Sequence, residues 1–203
     1  MEMPLNYKET QAAGEFVPIE LGGHYLVIKQ VEELKDKNGN PMIKISFDTA
    51  DNDKQPHYFA DQFRNDIRPD KKWPSNGVTW INVNDQDGKC SRSFKGFTTS
   101  AERSNPGFTV QWGAAFCGCL KNKLIGGVFR EELGYYNNKE THQRKIAWFC
   151  ANEKVAEASI PGVFETKEHK SWRESGGLTT ARPDADGFMN IPDNVTDEEL
   201  PFN

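Results

Sequence analysis

Basic residues run out before the chain does. No lysine or arginine follows Arg182, while six acids do, at Asp184, Asp186, Asp193, Asp197, Glu198 and Glu199. Long apolar runs are also missing. None approaches the roughly 18–20 residues that a membrane-crossing helix needs, so no membrane partner is expected. Met1 to Glu15 has neither a basic start nor an apolar segment, which is not the pattern of a secretory signal. Cysteine is sparse, with Cys90, Cys117, Cys119 and Cys150 as its four members. Without a signal, a disulfide framework would be out of place, and the expectation is a cytoplasmic protein with reduced thiols. Four thiolates can hold zinc, but Cys117-Gly118-Cys119 is not the usual knuckle spacing and the other two are isolated. His24, His57, His142 and His169 show no ligand spacing either. No phosphate-binding glycine loop, Gly-x-Ser-x-Gly or His-Glu-x-x-His occurs. These gaps point away from metal, cofactor and covalent catalysis.

What is present is polar and unevenly charged. Hydrophobic residues make up 36% of 203 and mean hydropathy is −0.75, yet an aromatic content of 11% argues against a chain that stays unfolded throughout. The net charge is −5. Setting the six terminal acids aside from the 30 leaves 24 acids against 25 basic residues, so Met1–Arg182 is close to neutral at +1. Acidity is thus a property of the end of the chain. It leaves the remainder free to bind an anion, with the acidic end as a weak competitor.

Along the chain, residues 1–15 form a polar N-terminal segment without a period, and structure is expected over 16–165. His24 to Leu34 is rich in Val, Ile and Tyr and reads as a strand. Asn38-Gly39 makes a turn, and Met42 to Phe47 then alternates, with Ile43, Ile45 and Phe47 on one face. Further strands are predicted over 57–63, 78–83, 124–130 and 144–150. A helix over 91–104 has Ser91 or Ser93 as its cap, Phe94, Phe97 and Ala101 as its buried face, and Asn105-Pro106-Gly107 as its stop. The segment 108–116 reads as alternating or irregular, and 154–161 as a short helical turn. Gly126-Gly127 suggests a bulge or a close backbone contact. After Glu165 the composition shifts to glycine, proline and acids, so 166–203 reads as a flexible linker and acidic tail. The fold class is mainly β: a small barrel like that of oligonucleotide-binding domains, with one inserted helix. A split sheet packed on one helix is the competing architecture.

The last residues, Asp197-Glu198-Glu199-Leu200-Pro201-Phe202, place three carboxylates before an apolar tip that has no core to join. Such a tip can be a peptide ligand, with carboxylates meeting a basic rim and the apolar end entering a pocket. It resembles the C-terminal tip of bacterial and phage single-stranded DNA-binding proteins, although Asn203 follows Phe202 where that family ends on Phe. Other stretches, taken in order, resemble a family of phage-encoded, single-strand-binding-like proteins. They are Gly39 to Ile45, Phe94-Lys95-Gly96-Phe97, Ser104 to Phe108, Trp112, Leu120 to Val128 and Glu131-Glu132. The resemblance implies a domain that binds single-stranded DNA in the host cytoplasm. It also implies a tail that recruits replication and recombination proteins through Asp197, Glu198, Glu199, Leu200, Pro201 and Phe202. Homo-oligomerisation is left open.

Such binding needs cations along the backbone path and exposed rings for bases to stack on. The candidates are Lys44; Phe59 with Arg64; Lys71, Lys72 and Trp73; Lys89 and Arg92; Lys121, Lys123 and Arg130; and Tyr135, Tyr136 and Arg144. Phe59, Phe63, Trp80 and Trp148 read first as core, since β domains bury their aromatics. Trp73, in a charged loop beside Pro74, is the best stacking candidate by sequence. Two other functions remain in play. A metal-dependent nuclease or resolvase would use Asp48, Asp51, Asp53, Asp61 and Asp66. A protein–protein adaptor would make no DNA contact.

Overall fold

The computed structural model describes residues 17–137 and 139–175, together with Met3 and Tyr7. The acidic tip at Asp197–Phe202 and most of the 1–15 segment lie outside the described residues. A mainly antiparallel sheet of six strands carries four helices, and no helix among the described residues is long and apolar enough to cross a membrane.

Strands β1 (Gly22–Lys35) and β2 (Pro41–Thr49) form the expected hairpin. Asp36 closes its turn: Oδ1 accepts from the N–H groups of Asn38 and Asn40, both at 2.8 Å, and Gly39 takes the positive φ of 84° that the turn requires. Leu26, Ile28, Ile43, Ile45 and Phe47 all face the core.

The predicted strand over 57–63 is a helix instead, α1 (Tyr58–Asn65). Its first turn is held from a distance. Phe59 and Ala60 N–H donate to Oδ1 of buried Asp48, at 3.0 and 3.2 Å, and Tyr58 N–H donates to Thr49 Oγ1 at 2.8 Å. These groups supply partners for N–H donors that a helix start leaves unpaired. Strand β3 (Val78–Asn82) then pairs with β2. Helix α2 (Arg92–Ser104) matches expectation, with Ser91 Oγ accepting from Phe94 N–H at 3.1 Å and Phe94, Phe97 and Ala101 buried. The segment after it is irregular and ends in a short helix, α3 (Phe116–Leu120), which places Phe116 and Leu120 in the core.

Strands β4 (Leu124–Tyr136) and β5 (Lys139–Cys150) make a hairpin longer than predicted, with Tyr135 and Tyr136 at the end of β4. Gly126 and Gly127 are required by close approach. A Cβ on Gly126 would lie 2.6 Å from Val155, and one on Gly127 would lie 2.4 Å from Leu26. The strand order is β3-β2-β1-β4-β5, with the short β6 (Phe164–Glu165) parallel to β4. Among the described residues no backbone ladder joins β3 to β5. The sheet is therefore open along one seam and does not complete a barrel. Phe47 sits at the centre of the core, edge-on to Phe59, Phe129 and Phe149 at 5.6, 6.1 and 6.0 Å.

The fold also runs past the boundary expected at 165. Helix α4 (Lys167–Glu174) docks on the β4–β5 hairpin through buried His169. Its Nε2 lies 2.8 Å from Glu140 Oε2 and its Nδ1 lies 2.7 Å from Glu165 Oε1. Glu140 Oε1 also meets His142 Nε2 at 2.9 Å, and His142 Nδ1 meets Glu131 at 2.8 Å. Trp172 of α4 stacks on Tyr135, with centroids 4.5 Å apart. These contacts belong to a segment that composition alone assigns to a linker.

Candidate nucleic-acid interface

Two exposed tryptophan rings, Trp80 and Trp148, flank the open seam. Along β3, Ile81 turns inward, and Trp80 and Asn82 therefore turn outward on the two-residue period. Trp80 is 52% exposed. On β5 the outward ring depends on a bulge. Ile146 pairs with Phe129 and Trp148 with Val128, which leaves Ala147 as the extra residue. Ile146 and Phe149 can then both pack against the core, Phe149 on Phe97 at 5.1 Å, while Trp148 stays 47% exposed. Both tryptophans line one cleft of about 750 Å³ between the β3 and β5 edges, floored by the start of α2. Asn82, Asn84, Gln86 and Ser93 supply its polar wall.

A second groove of about 630 Å³ continues from the first and shares Ser91, Arg92, Gly96 and Phe149 with it. It runs between α2 and the end of β5. Arg92, Lys95 and Arg103 lie along one side of α2 at helical spacing, and Lys154 stands opposite, just after β5. Among the described residues, none of these four cations is paired with a carboxylate and no acid lines this groove. The Cys150 thiol in its wall is pushed up by burial, with Lys154 opposing, so it is a poor nucleophile. The joint arrangement offers two open rings beside a cationic channel, with Arg92 at the junction.

Few of the residues expected from sequence reach this place. Arg92 lines both grooves, and Lys89 is exposed just before it. Lys44 pairs in register with Trp80, but its Nζ is held by Glu32 at 3.3 Å. Phe59 is 0% exposed and cannot stack a base, because α1 turns it into the core against Phe47. Trp73 is corrected as well. It packs against the core, and its Nε1–H points to the carbonyls of Phe47 and Gly77, 3.2 Å from each. Arg64 is exposed and paired with Asp61, Lys71 donates to Arg64 O at 3.0 Å, and Lys72 is exposed beside them. Arg130 lies over the Phe164 ring at 3.8 Å with Glu132 at 3.5 Å. Arg144 turns inward to donate to Ile19 O at 2.6 Å. Lys121 and Lys123 precede β4, with Lys123 Nζ over Phe108 at 4.6 Å. Tyr135 has one face covered by Trp172, and Tyr136 is 70% exposed at the hairpin tip.

The nuclease acids do not converge. Asp48 caps α1, and Asp53 Oδ1 pairs with buried His24 at 2.9 Å. Asp51 meets His57, Asp61 meets Arg64, and Asp66 meets Arg68. Each carboxylate has a separate partner. Among the described residues no group of three or more His, Cys, Asp or Glu side chains is arranged to hold a metal ion.

Sequence reasoning missed Lys95, Arg103 and Lys154, and it grouped Trp80 with Lys89 and Arg92 but read Trp80 and Trp148 first as core. A signal existed for two elements. The phase set by Ile81 and Val83 turns Trp80 outward, and Arg92, Lys95 and Arg103 recur on one side of a helix whose buried face was already legible. Trp148 had no such signal, because Ile146, Trp148 and Cys150 alternate until the bulge breaks the period. No family model matches the chain. No curated protein is significantly similar to it.

Proposed function

We propose that this chain is a single-stranded DNA-binding protein built on an oligonucleotide-binding barrel left open between β3 and β5. One observation carries the reading: Trp80 and Trp148, exposed on two facing sheet edges, share a cleft that runs into Arg92, Lys95, Arg103 and Lys154, cations without a carboxylate partner among the described residues. Rings stack successive bases whatever their sequence, and cations follow the phosphates. The strand order, with α2 between the third and fourth strands, supports the barrel comparison, since that fold is a five-stranded, partly open one. The acidic tip Asp197–Phe202 serves as a recruiting peptide for replication and recombination proteins, by its likeness to the tips of single-strand-binding proteins.

Titration with oligo-dT at low salt tests the binding reading. Tryptophan emission is expected to be quenched at micromolar protein or below. Unchanged emission together with no retardation in a gel at that concentration refutes it.

A further inference from the structure

We propose that the cleft between β3 and β5 reads the edges of the bases by hydrogen bonding, so that the protein discriminates among bases. This rests on the single-strand-binding reading. Stacking alone requires flat rings, and it is tolerant of sequence because every base has a π-face. The cleft provides more than rings. Both of its strand walls are edges of the sheet, so part of their peptide N–H and C=O groups has no ladder partner. The side-chain amides of Asn82, Asn84 and Gln86 line it and make no hydrogen bond among the described residues. Each amide offers a donor and an acceptor side by side, the pairing that reads a base edge.

The loop that carries two of these amides is held in place. Asn84 and Cys90 form a backbone bridge. Asp85 N–H donates to Lys89 O at 2.7 Å, and Asp85 Oδ1 accepts from Asp87 and Lys89 N–H at 3.0 and 2.9 Å. Ser91 N–H then donates to Val83 O at 2.8 Å and ties the loop back to the end of β3. A reading group that does not have to be ordered on binding loses less affinity to entropy. Charge is also divided between the two grooves. Among the described residues, Arg92 and Asp85 are the charged ones lining the cleft, whereas the charged residues lining the α2 groove are all cations. Phosphates belong in the second groove and bases in the first, with Arg92 where the strand turns from one to the other.

The test compares oligomers of dA, dC and dT of about 12 nucleotides, a length within the range of site sizes of these barrels, with an abasic strand of equal length. Binding is read by fluorescence anisotropy at fixed salt. The full chain is expected to separate the best from the worst base by about tenfold or more, the discrimination expected of a good bidentate contact. Asn82→Ala combined with Gln86→Ala changes two exposed side chains. It is expected to narrow that spread to within about threefold and to leave affinity for the abasic strand unchanged. Asn84→Ala is the second variant and is expected to narrow the spread by itself. Three homopolymers bound within threefold of one another by the unaltered protein overturn base reading and leave single-strand binding standing. Failure to bind any of the strands overturns both. A preference that survives all the amide variants overturns the assignment to these residues.

Discussion

On the proposed binding of single strands, four cations of one groove, without a carboxylate partner among the described residues, would set the salt dependence. For single strands the slope of log K against log salt is about −0.7 per phosphate neutralised. If Arg92, Lys95, Arg103 and Lys154 each take one phosphate, the slope is about −3, and affinity falls by about 50-fold between 50 and 200 mM salt. Replacing Arg103 and Lys154 with Ala removes two of the four contacts at the end of the groove away from the tryptophans. The slope is then expected to halve to about −1.4, a loss of about sevenfold over the same interval. Both side chains lie outside the buried core, so stability should change by no more than about 0.5 kcal/mol. Anisotropy titrations with labelled oligo-dT at four or more salt concentrations read the slope directly. A slope near zero for the unaltered protein refutes the phosphate path. A steep slope that the double variant retains in full places the path elsewhere on the molecule.

The docking of α4 should depend on pH. Glu140 chiefly, with Glu165, holds His169 above the ordinary histidine range against an opposing effect of burial, and Glu131 and then Glu140 do the same for His142. A raised folded-state value contributes fully below the unfolded histidine value, and the contribution is lost as pH rises through the raised one. His169, and after it His142, holds Glu140 below its ordinary value, so the carboxylate's share is lost only as pH falls through that lowered value. Protection of the 167–174 amides, corrected for the intrinsic rate, should therefore be greatest on the mildly acidic side, above the lowered Glu140 value and below the unfolded histidine value, and should fall as pH rises through the raised histidine values. His169→Gln should remove that dependence, and equal protection on both sides of the histidine range would contradict the sign. Phe59→Ala should cost about 3–5 kcal/mol in urea unfolding and leave the folded fraction binding oligo-dT as before; a selective loss of affinity would return Phe59 to the interface. Phe202→Ala should abolish capture of replication or recombination proteins in a pull-down with DNA affinity unchanged or slightly raised, and retention of all partners would remove the recruiting role of the tip.

Local pattern was enough where the chain acts locally. The β1–β2 hairpin needs Asp36, Gly39 and an alternating β2, and all three stand next to each other in sequence. Helix α2 carries its own cap in Ser91 and its own stop in Asn105-Pro106-Gly107. Long-range contacts decided the rest. Tyr58, Phe59 and Phe63 suit a strand until Asp48, ten residues before Tyr58, accepts the hydrogen bonds that begin α1. Trp73 looked free because the Phe47 carbonyl that receives its N–H lies 26 residues away. The α4 segment looked like linker because Glu140, the partner of His169, sits on a hairpin 29 residues upstream. The candidate interface shares this property: its rings come from β3 and β5, and its cations from α2 and the turn after β5. Only folding brings them to one seam, so residues chosen by sequence proximity marked basic and aromatic content but, Arg92 apart, did not mark the cleft.

In the proposed function Trp80 and Trp148 are the stacking platforms. The affinity of the Trp80→Ala, Trp148→Ala double variant for oligo-dT at low salt tests it most directly. One stacked base is worth about 1–3 kcal/mol, so losing both rings should weaken binding by about 30-fold or more. Trp73→Phe, which alters a ring packed against the core, should leave affinity unchanged. A double variant that binds as tightly as the unaltered protein would contradict the account.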